Sequence, residues 1–312
     1  MERKGRRVDD HDMEQLELAR QFEEHRPYLR RLAYSTLGSL TDADDVVQEA
    51  WLRLQRWHAT KSDGDRIDNL RAWLSTVTGR LALDQLGSAR ARREQYVGEW
   101  LPEPEITSWD EPAERAGQSE EVTTALLVVM ESLSPSERTA FVLQDVFGMT
   151  GPEVAEVVGR TPAAVRQLTS RARKHVTAGT PRFPANRDEH RKVVSAFAQA
   201  WQSGNVAGLL ELLDDQVVLT ADGGGKVSAV RKPVHGAEAV ARMFIAWHDL
   251  DRGGWGRTVM VNGRAGYFVF DGVDPGVISF TIDAGRITAV SIVRNPDKLH
   301  DIPLDEGPEW YL

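Results

Sequence analysis

The stretch TGPEVAEVVGRTPAAVRQLTSRARKHV, residues 150–176, decides how the rest of the chain is read. It predicts two short helices joined by a tight turn. Thr150 caps the first, and Glu153, three residues on, bonds back to it in a capping box. Val154, Ala155 and Val158 form one apolar stripe. Gly159 falls where the chain must bend, because a residue without Cβ takes the left-handed conformation at little cost. Thr161 and Pro162 restart a helix as cap and first helical residue. Val165 and Leu168 turn back toward the first helix. Small Ala155, turn-forming Gly159 and buried Val165 stand at the spacing of a helix-turn-helix. The exposed side of the second helix then carries Arg166, Gln167, Ser170, Arg171, Arg173 and Lys174, with no acid among them. A helix of this size fits the DNA major groove, where such side chains reach base edges and phosphates. An ordinary helical hairpin with a solvated basic face would share the charge, but not the agreement of caps, turn and charge.

At 312 residues the chain has room for two or three domains. Cysteine is absent, which excludes disulfides, a thiolate nucleophile and a Cys-ligated metal. No stretch is apolar enough to span a bilayer, and the opening MERKGRRVDDHDMEQ lacks the apolar run of a signal peptide; a cytoplasmic protein without membrane contact is expected. A net charge of −9 argues against indiscriminate nucleic-acid binding by the whole molecule. A basic helix on an acidic protein still makes a local footprint.

Residues 1–21 are charged and show no core pattern, which predicts a mobile arm. From Phe22 a helical rhythm runs through Leu29, Leu32, Ala33 and Leu37, and Gly38 ends it. Thr41 is expected to cap the next helix, TDADDVVQEAWLRLQRW, with Asp44 at the box position. Val47, Ala50, Trp51 and Leu54 point inward, while Asp45, Gln48, Glu49 and Leu52 share the outer face. A leucine among acids suits docking of a basic helix; a solvated face with one stray leucine is the plain alternative. After a polar loop, His58 to Asp68, a third helix buries Leu70, Trp73, Leu74, Val77 and Leu81. Its later part carries Arg80, Arg90, Arg92 and Arg93 against one acid, Asp84. Such a helix suits an opened DNA strand, although Trp73 alone reads more readily as core than as a stacking platform.

Residues 94–119 hold three prolines and many acids, the composition of a linker, with Trp100 and Leu101 suggesting that part of it docks. Residues 120–133 form a helix. Ser134, Pro135 and Glu137 open the next one, and Gly148 closes it. The helix-turn-helix domain thus spans 120–178, after a first helical domain over 22–93. The joint AGTPRFPANR, with its linker at 179–187, precedes a last region, 188–312. There a helix from Asp188 to Ser203, Leu209 to Leu213, strands VVLTAD and KVSAVRKPV around DGGG, a helix over Ala237–Trp247 and the strands RTVMVN, GYFVFD, GVISFTID and ITAVSIVRN predict an α+β domain with one curved sheet.

Three stretches, DADDVVQEAWLRL (42–54), NLRAWL (69–74) and LSPSERTAFVLQDVFGMTGPEVAEVVGRTPAAVRQLTSRARK (133–174), resemble the bacterial sigma factors of the extracytoplasmic-function group, in the family's order. The resemblance implies two all-α sigma domains, the first for core RNA polymerase and the −10 promoter element, the second for the −35 element. Both the β′ and β subunits of polymerase and promoter DNA would then be partners. Asp45, Gln48, Glu49 and Leu52 match the face for the β′ coiled coil. The loop after Trp57 and the helix start near Trp73 match the part that captures a flipped −10 base, and Arg80, Arg90, Arg92 and Arg93 match the phosphate-facing side. Thr161, Ala163, Arg166, Gln167, Ser170, Arg171 and Lys174 fall on the −35 helix. The α+β extension resembles the SnoaL-like cone fold, related to nuclear transport factor 2. A subgroup of these sigma factors carries such an extension. Its recurring stretches stand here as Trp100, Leu101 and Pro102 of WLPEP; Asp222, Gly223, Gly224, Gly225 and Lys226; and Asn295, Pro296, Asp297, Lys298 and Leu299. They are expected to make regulatory contacts in place of a separate anti-sigma protein.

SnoaL-like folds include cyclases and isomerases, and Asp222, His235, His248 and Asp283 are the available acid–base groups. Nothing in their spacing fixes a proton-shuttling pair. DGGGK lacks the spacing of a phosphate loop and joins strand to strand, so it is expected to be a hairpin turn with Asp222 and Lys226 exposed. No cofactor and no metal are expected. A small-molecule ligand of the extension is left open, and two rival readings with it: a free-standing DNA-binding regulator that senses one, and a DNA-tethered enzyme.

Overall fold

The computed structural model describes residues 10–62, 65–93, 96–107, 122–250 and 254–299. Helix α1 (Asp10–Leu37), α2 (Leu40–Thr60) and α3 (Leu70–Arg93) form a first helical unit. The arm expected over residues 1–21 is helical from Asp10 onward, and residues 1–9 lie outside the described part. This early stretch lacks an apolar stripe because its helix is supported by ion pairs one turn apart, Arg20 with Glu17 and with Glu24. Helix α2 starts two residues earlier than a cap at Thr41 would have it, because Ser39 takes the cap position. Gly38 takes φ +70°, Ser39 is left extended as the cap, and its hydroxyl accepts the amide of Asp42 at 3.1 Å. Leu29, Val47, Leu54 and Leu74 close the core of this unit around Phe22.

The second helical unit holds α4 (Thr124–Met130), α5 (Pro135–Phe141) running into a π-helical turn at Val142–Val146, α6 (Gly151–Val158) and α7 (Pro162–Gly179). The Ser134–Glu137 capping box forms as the sequence requires. Between the units lies no solvent layer. Leu37, Ala43, Val46 and Leu86 of the first pack with Leu127, Met130, Phe141 and Ala172 of the second in one cluster. Gly79 of α3 lets α6 approach so closely that a Cβ there would lie 3.0 Å from Val157.

The extension starts with α8 (Arg187–Gln202) and α9 (Val206–Leu212), passes into β2 (Leu213–Asp222) and a short β3 (Val234–His235), then α10 (Ala237–His248) and a meander of β4 (Trp255–Val261), β5 (Arg264–Phe270), β6 (Pro275–Asp283) and β7 (Arg286–Val293). The meander is antiparallel, and β2 joins it parallel to β7. KVSAVRKPV was expected to be a strand; only its end pairs, as β3 against Val218 and Leu219. Its Ala229 and Val230 instead lie against the core as irregular chain, and Pro233 has no amide to give to a ladder.

Side chains on a strand alternate between faces, so a strand apolar throughout must be covered on both. Here Phe197, Trp201 and Phe244 from α8 and α10 cover one face, over Tyr267, Ile278 and Phe280. The opposite face shows Val259, Phe268, Val277 and Val293, and these pack on Leu101, with Val128 of α4 at the margin. Residues 94–119 are therefore more than a spacer. Leu101, Pro102, Glu103 and Pro104 are buried, and Ile106–Thr107 forms β1, paired antiparallel with Val261 and Met260 on the edge strand β4. Residues 108–121 lie outside the described part.

Candidate functional site

Two surfaces and one buried node carry the chemistry. The first surface is the outer side of α7. Thr161 caps this helix by accepting the amide of Ala164, and Gly159 makes the bend with φ +63°. Val165 is fully buried beneath, which leaves Ala163, Arg166, Gln167, Ser170 and Arg171 lining one open groove, with Lys174 exposed beyond it. Arg171 is held lightly, 3.0 Å from Glu137, and Arg173 donates to Asp145 at 2.8 Å. The Ser134 hydroxyl, and then its amide, keep the Glu137 carboxyl below the usual range, so Arg171 faces an anion. The groove can offer guanidinium and amide groups to a phosphate or a base edge.

The second surface is the outer side of α2. Asp45, Gln48 and Leu52 are exposed and Glu49 is half-buried, all within two turns of one face. Glu49 accepts from Arg53 and Arg56 at 3.3 and 3.4 Å. The predicted basic strip of α3 is divided. Arg80 reaches across to α6, donating to the carbonyl and the carboxylate of Glu156, each at 3.1 Å. It was expected to face phosphates, and close packing of the two helical units has turned it to a protein partner. The side chains of Arg90, Arg92 and Arg93 lie outside the described residues. Trp73 is half-buried, its ring 6.4 Å from that of Trp57 at the rim of the first core, as the plain reading has it.

The node is centred on Asp222. Its side chain is wholly buried, against the expectation of an exposed hairpin turn. One carboxylate oxygen accepts the Leu101 amide at 2.9 Å and Lys298 Nζ at 2.7 Å; the other accepts the Tyr96 hydroxyl at 2.5 Å and the Gly224 amide at 3.0 Å. Its carbonyl accepts the amides of Arg294 and Asn295. Lys298 also donates to the Leu101 carbonyl and lies 4.0 Å over the Trp100 ring. The stretches at 100–104, 222–226 and 295–299 thus meet at one buried ion pair. The glycines make this possible. Gly224 sits at φ +61°, where a Cβ would fall 2.5 Å from the Asn295 side chain, and a Cβ on Gly225 would fall 2.9 Å from Val97. Burial, and then the bond to Asp222, push the Tyr96 phenol well above its usual range, which keeps it a neutral donor. Lys226 stays outside, 2.6 Å from Asp297.

Four further residues belong to this assembly and were missed from sequence. Glu103 accepts the amide of Leu40 at 2.8 Å and the Ser39 hydroxyl at 3.1 Å, so the linker itself caps α2. Tyr34 of α1 donates to the Glu103 carbonyl at 2.7 Å. Asn262, at the tip of the β4–β5 hairpin with φ 50°, donates to the Tyr34 hydroxyl at 2.5 Å and accepts from Thr124 of α4 at 3.1 Å. An Asn-Gly pair at 262–263 is a strong hairpin signal and could have located the tip, though not its partners.

The acid–base candidates do not come together. Asp222 is committed to Lys298, and Asp283 accepts the amides of Arg182 and Phe183 at 3.1 and 2.8 Å. His248 borders a cavity of about 450 Å³ at the open end of the sheet, walled by Trp201, Trp247 and Trp255, with Tyr267 bonded to Gln202 at 2.7 Å. Among the described residues no group of acids and histidines could hold a metal ion, and no helix is long and apolar enough to cross a membrane.

A basic helix on a helix-turn-helix, in a unit packed against the first helical unit with its acid-bearing outer face on α2, is the arrangement of a DNA-binding protein of the transcription apparatus. Residues 21–92 match Sigma-70 region 2, and residues 123–176 match Sigma-70 region 4. The chain belongs to the extracytoplasmic-function (ECF) RNA polymerase sigma factors. It is similar to the ECF RNA polymerase sigma factor SigJ of Mycobacterium tuberculosis (strain ATCC 25618 / H37Rv), 39% identical over 302 residues, 92% of this chain and 94% of that one. A probable ECF sigma factor, SigI of the same strain, is 34% identical over 292 residues, 91% of this chain and 95% of SigI. The crystal structure of M. tuberculosis SigJ superposes with a TM-score of 0.74 at 36% identity, covering 90% of this chain and 98% of that one. The chain is thus a transcription initiation factor, with two helical sigma domains followed by a SnoaL-like α+β domain.

Proposed function

We propose that Asp45, Gln48, Glu49 and Leu52 dock this sigma factor on the β′ coiled coil of core polymerase, and that the second helical domain engages the β subunit. In this reading α3, through Arg80, Arg90, Arg92 and Arg93, follows the opened −10 strand, and α7 reads the −35 element. The domains fall at residues 22–93, 120–178 and 188 onward, the first with its helix reaching back to Asp10. The extension regulates the other two without chemistry of its own, and it takes the place of a separate anti-sigma protein. The cavity beside Trp201 and Trp247 has room for a small-molecule ligand of the extension.

One observation carries the regulatory part. Arg80 of α3 is bonded to Glu156 of α6, inside a core shared by both helical units. Yet the −10 and −35 elements are, by their names, 25 nucleotides apart, roughly 85 Å at about 3.4 Å per nucleotide. A chain packed this closely cannot read both, so the packed form is the resting form. The linker, Asp222 and the Asn262 tip hold it. The test is binding of the full chain to core polymerase, beside an Asp45→Arg, Leu52→Ala variant and a Lys298→Glu variant. Loss of binding in the first and tighter binding in the second are expected. Unchanged affinity in the first removes the docking face; unchanged or weaker affinity in the second removes the restraint.

A further inference from the structure

A second cavity of the extension lies between α10, the irregular chain at residues 228–230 and the ends of β2 and β7, and nothing in promoter recognition uses it. Its volume of about 440 Å³ falls inside the range of roughly 300–1,000 Å³ usual for small-molecule sites. Trp247, Leu250 and Asp271 border both this cavity and the one beside Trp201. Leu219, Val230, Met243 and Ile292 give it aliphatic walls. Its charged lining groups, Asp271 and Asp274, gather around the guanidinium of Arg294.

Arg294 is 7% exposed, so more than nine-tenths of it is buried. A guanidinium carries five N–H groups and accepts nothing. Nη1 donates one of them to the Ser228 carbonyl at 3.1 Å, and Nη2 donates one to Asp271 at 2.5 Å. Asp274 stands 3.7 Å from Nη2, beyond hydrogen-bond reach. The guanidinium also lies over the Trp247 ring, 5.2 Å from its centre. Nε has no acceptor among the described residues, and each terminal nitrogen keeps a second N–H. Buried donors without acceptors are costly, and they mark a place where an acceptor belongs.

Charge decides which acceptor fits. Burial works against ionisation of Asp271, but the Asp274 amide, the Arg294 charge and the Val273 amide hold its carboxyl below the usual range. With Asp274 beside it, the guanidinium already faces two carboxylates, and a third from a ligand would be repelled by both. An ammonium would suit the negative balance, yet it brings no acceptor and would stand beside a guanidinium. A neutral oxygen is what remains.

We propose that this cavity binds a small neutral carbonyl compound, a ketone, ester or amide with an apolar body. Its oxygen accepts a terminal N–H of Arg294, and its body lies along the aliphatic walls. Ala221 and Arg294 both line the cavity, and the residues that follow them, Asp222 and Asn295, belong to the buried node. The occupant thus sits one residue from the node on two segments of chain. Binding is a property of the free chain and does not depend on how polymerase is engaged.

The probes are methyl octyl ketone, nonanoate and nonylamine, which share an octyl chain and end in a carbonyl, a carboxylate and an ammonium. Calorimetric titration of the full chain at neutral pH should give saturable binding for the ketone and binding about tenfold or more weaker for both ions. The carbonyl stretching band of the bound ketone should lie below its position in an alkane, the mark of an oxygen that accepts a hydrogen bond. Ala246 is exposed on α10 and borders this cavity but not the one beside Trp201. Ala246→Trp should therefore weaken ketone binding about tenfold or more while the circular dichroism spectrum stays as it was. Arg294→Met combined with Asp271→Asn removes both charges of the pair together, and the new amide oxygen can still accept from Val273 and Asp274. In that variant the band should return to its alkane position. No saturable ketone binding by the natural chain overturns the proposal. So does equal or tighter binding of either ion, full ketone affinity in Ala246→Trp, or a bound band at the alkane position in the natural chain.

Discussion

The outer face of α7 and the node at Asp222 are built from the same kinds of group in opposite surroundings. On α7 the Arg171 side chain is 66% exposed and only loosely paired with Glu137. At the node the Asp222 side chain is fully buried and that of Lys298 is 10% exposed. An exposed pair is worth little, because water and salt replace the partner readily. A buried pair cannot lose one member without leaving the other stranded. The first arrangement leaves a charge able to change partners, which the proposed reading of DNA by α7 requires. The second makes a contact that is either whole or broken.

Three substitutions sharpen or break that contrast. Asp222→Asn keeps the shape and strands Lys298, so the full chain should lose about 3–5 kcal/mol in urea unfolding. A loss under 1 kcal/mol would show that the node is wetter than its burial implies. Arg171→Ala should weaken binding to a −35 duplex by about 1–3 kcal/mol if the contact is to a base, with little change in folding stability. Footprints identical to those of the natural chain would remove Arg171 from the reading surface. Lys226→Ala breaks the exposed pair with Asp297, at the edge of the same node, and should cost roughly 0–1 kcal/mol. A loss as large as that of Asp222→Asn would erase the distinction between the two settings.

How much could be read beforehand follows the same division. The helix-turn-helix is local: Thr150, Glu153, Gly159, Thr161 and Val165 sit within 16 positions of one another, and each takes its expected role. The four strands of the meander were legible from their apolar runs. The same runs require cover for Phe268 and Val277 on a second face, and nothing local in the sequence names what supplies it. The cover is Leu101, more than 150 positions away in the chain, and no periodicity points over that distance. Asp222 was misplaced for the same reason. Beside three glycines it looks like a solvated turn, and only Lys298 and the Leu101 amide make it a buried one. The Arg80 contact is of that kind too, since it exists only when the helical units are closed. The early part of α1 was missed differently, because ion pairs along a helix leave no apolar stripe to find.

The pairing of β1 with β4 joins residues 106–107 to residues 260–261. During synthesis the two strands are separated in time as well as in sequence. Both helical domains have left the ribosome before the edge strand that β1 needs has been made. At about 5–20 residues per second, the roughly 80 residues from the end of α7 to the end of β4 take on the order of 10 s to follow. For that interval the newborn chain is a pair of helical domains with an unclasped linker. A polymerase that meets it then meets a different protein from the finished one, and the order of synthesis itself becomes a variable in when the factor is open.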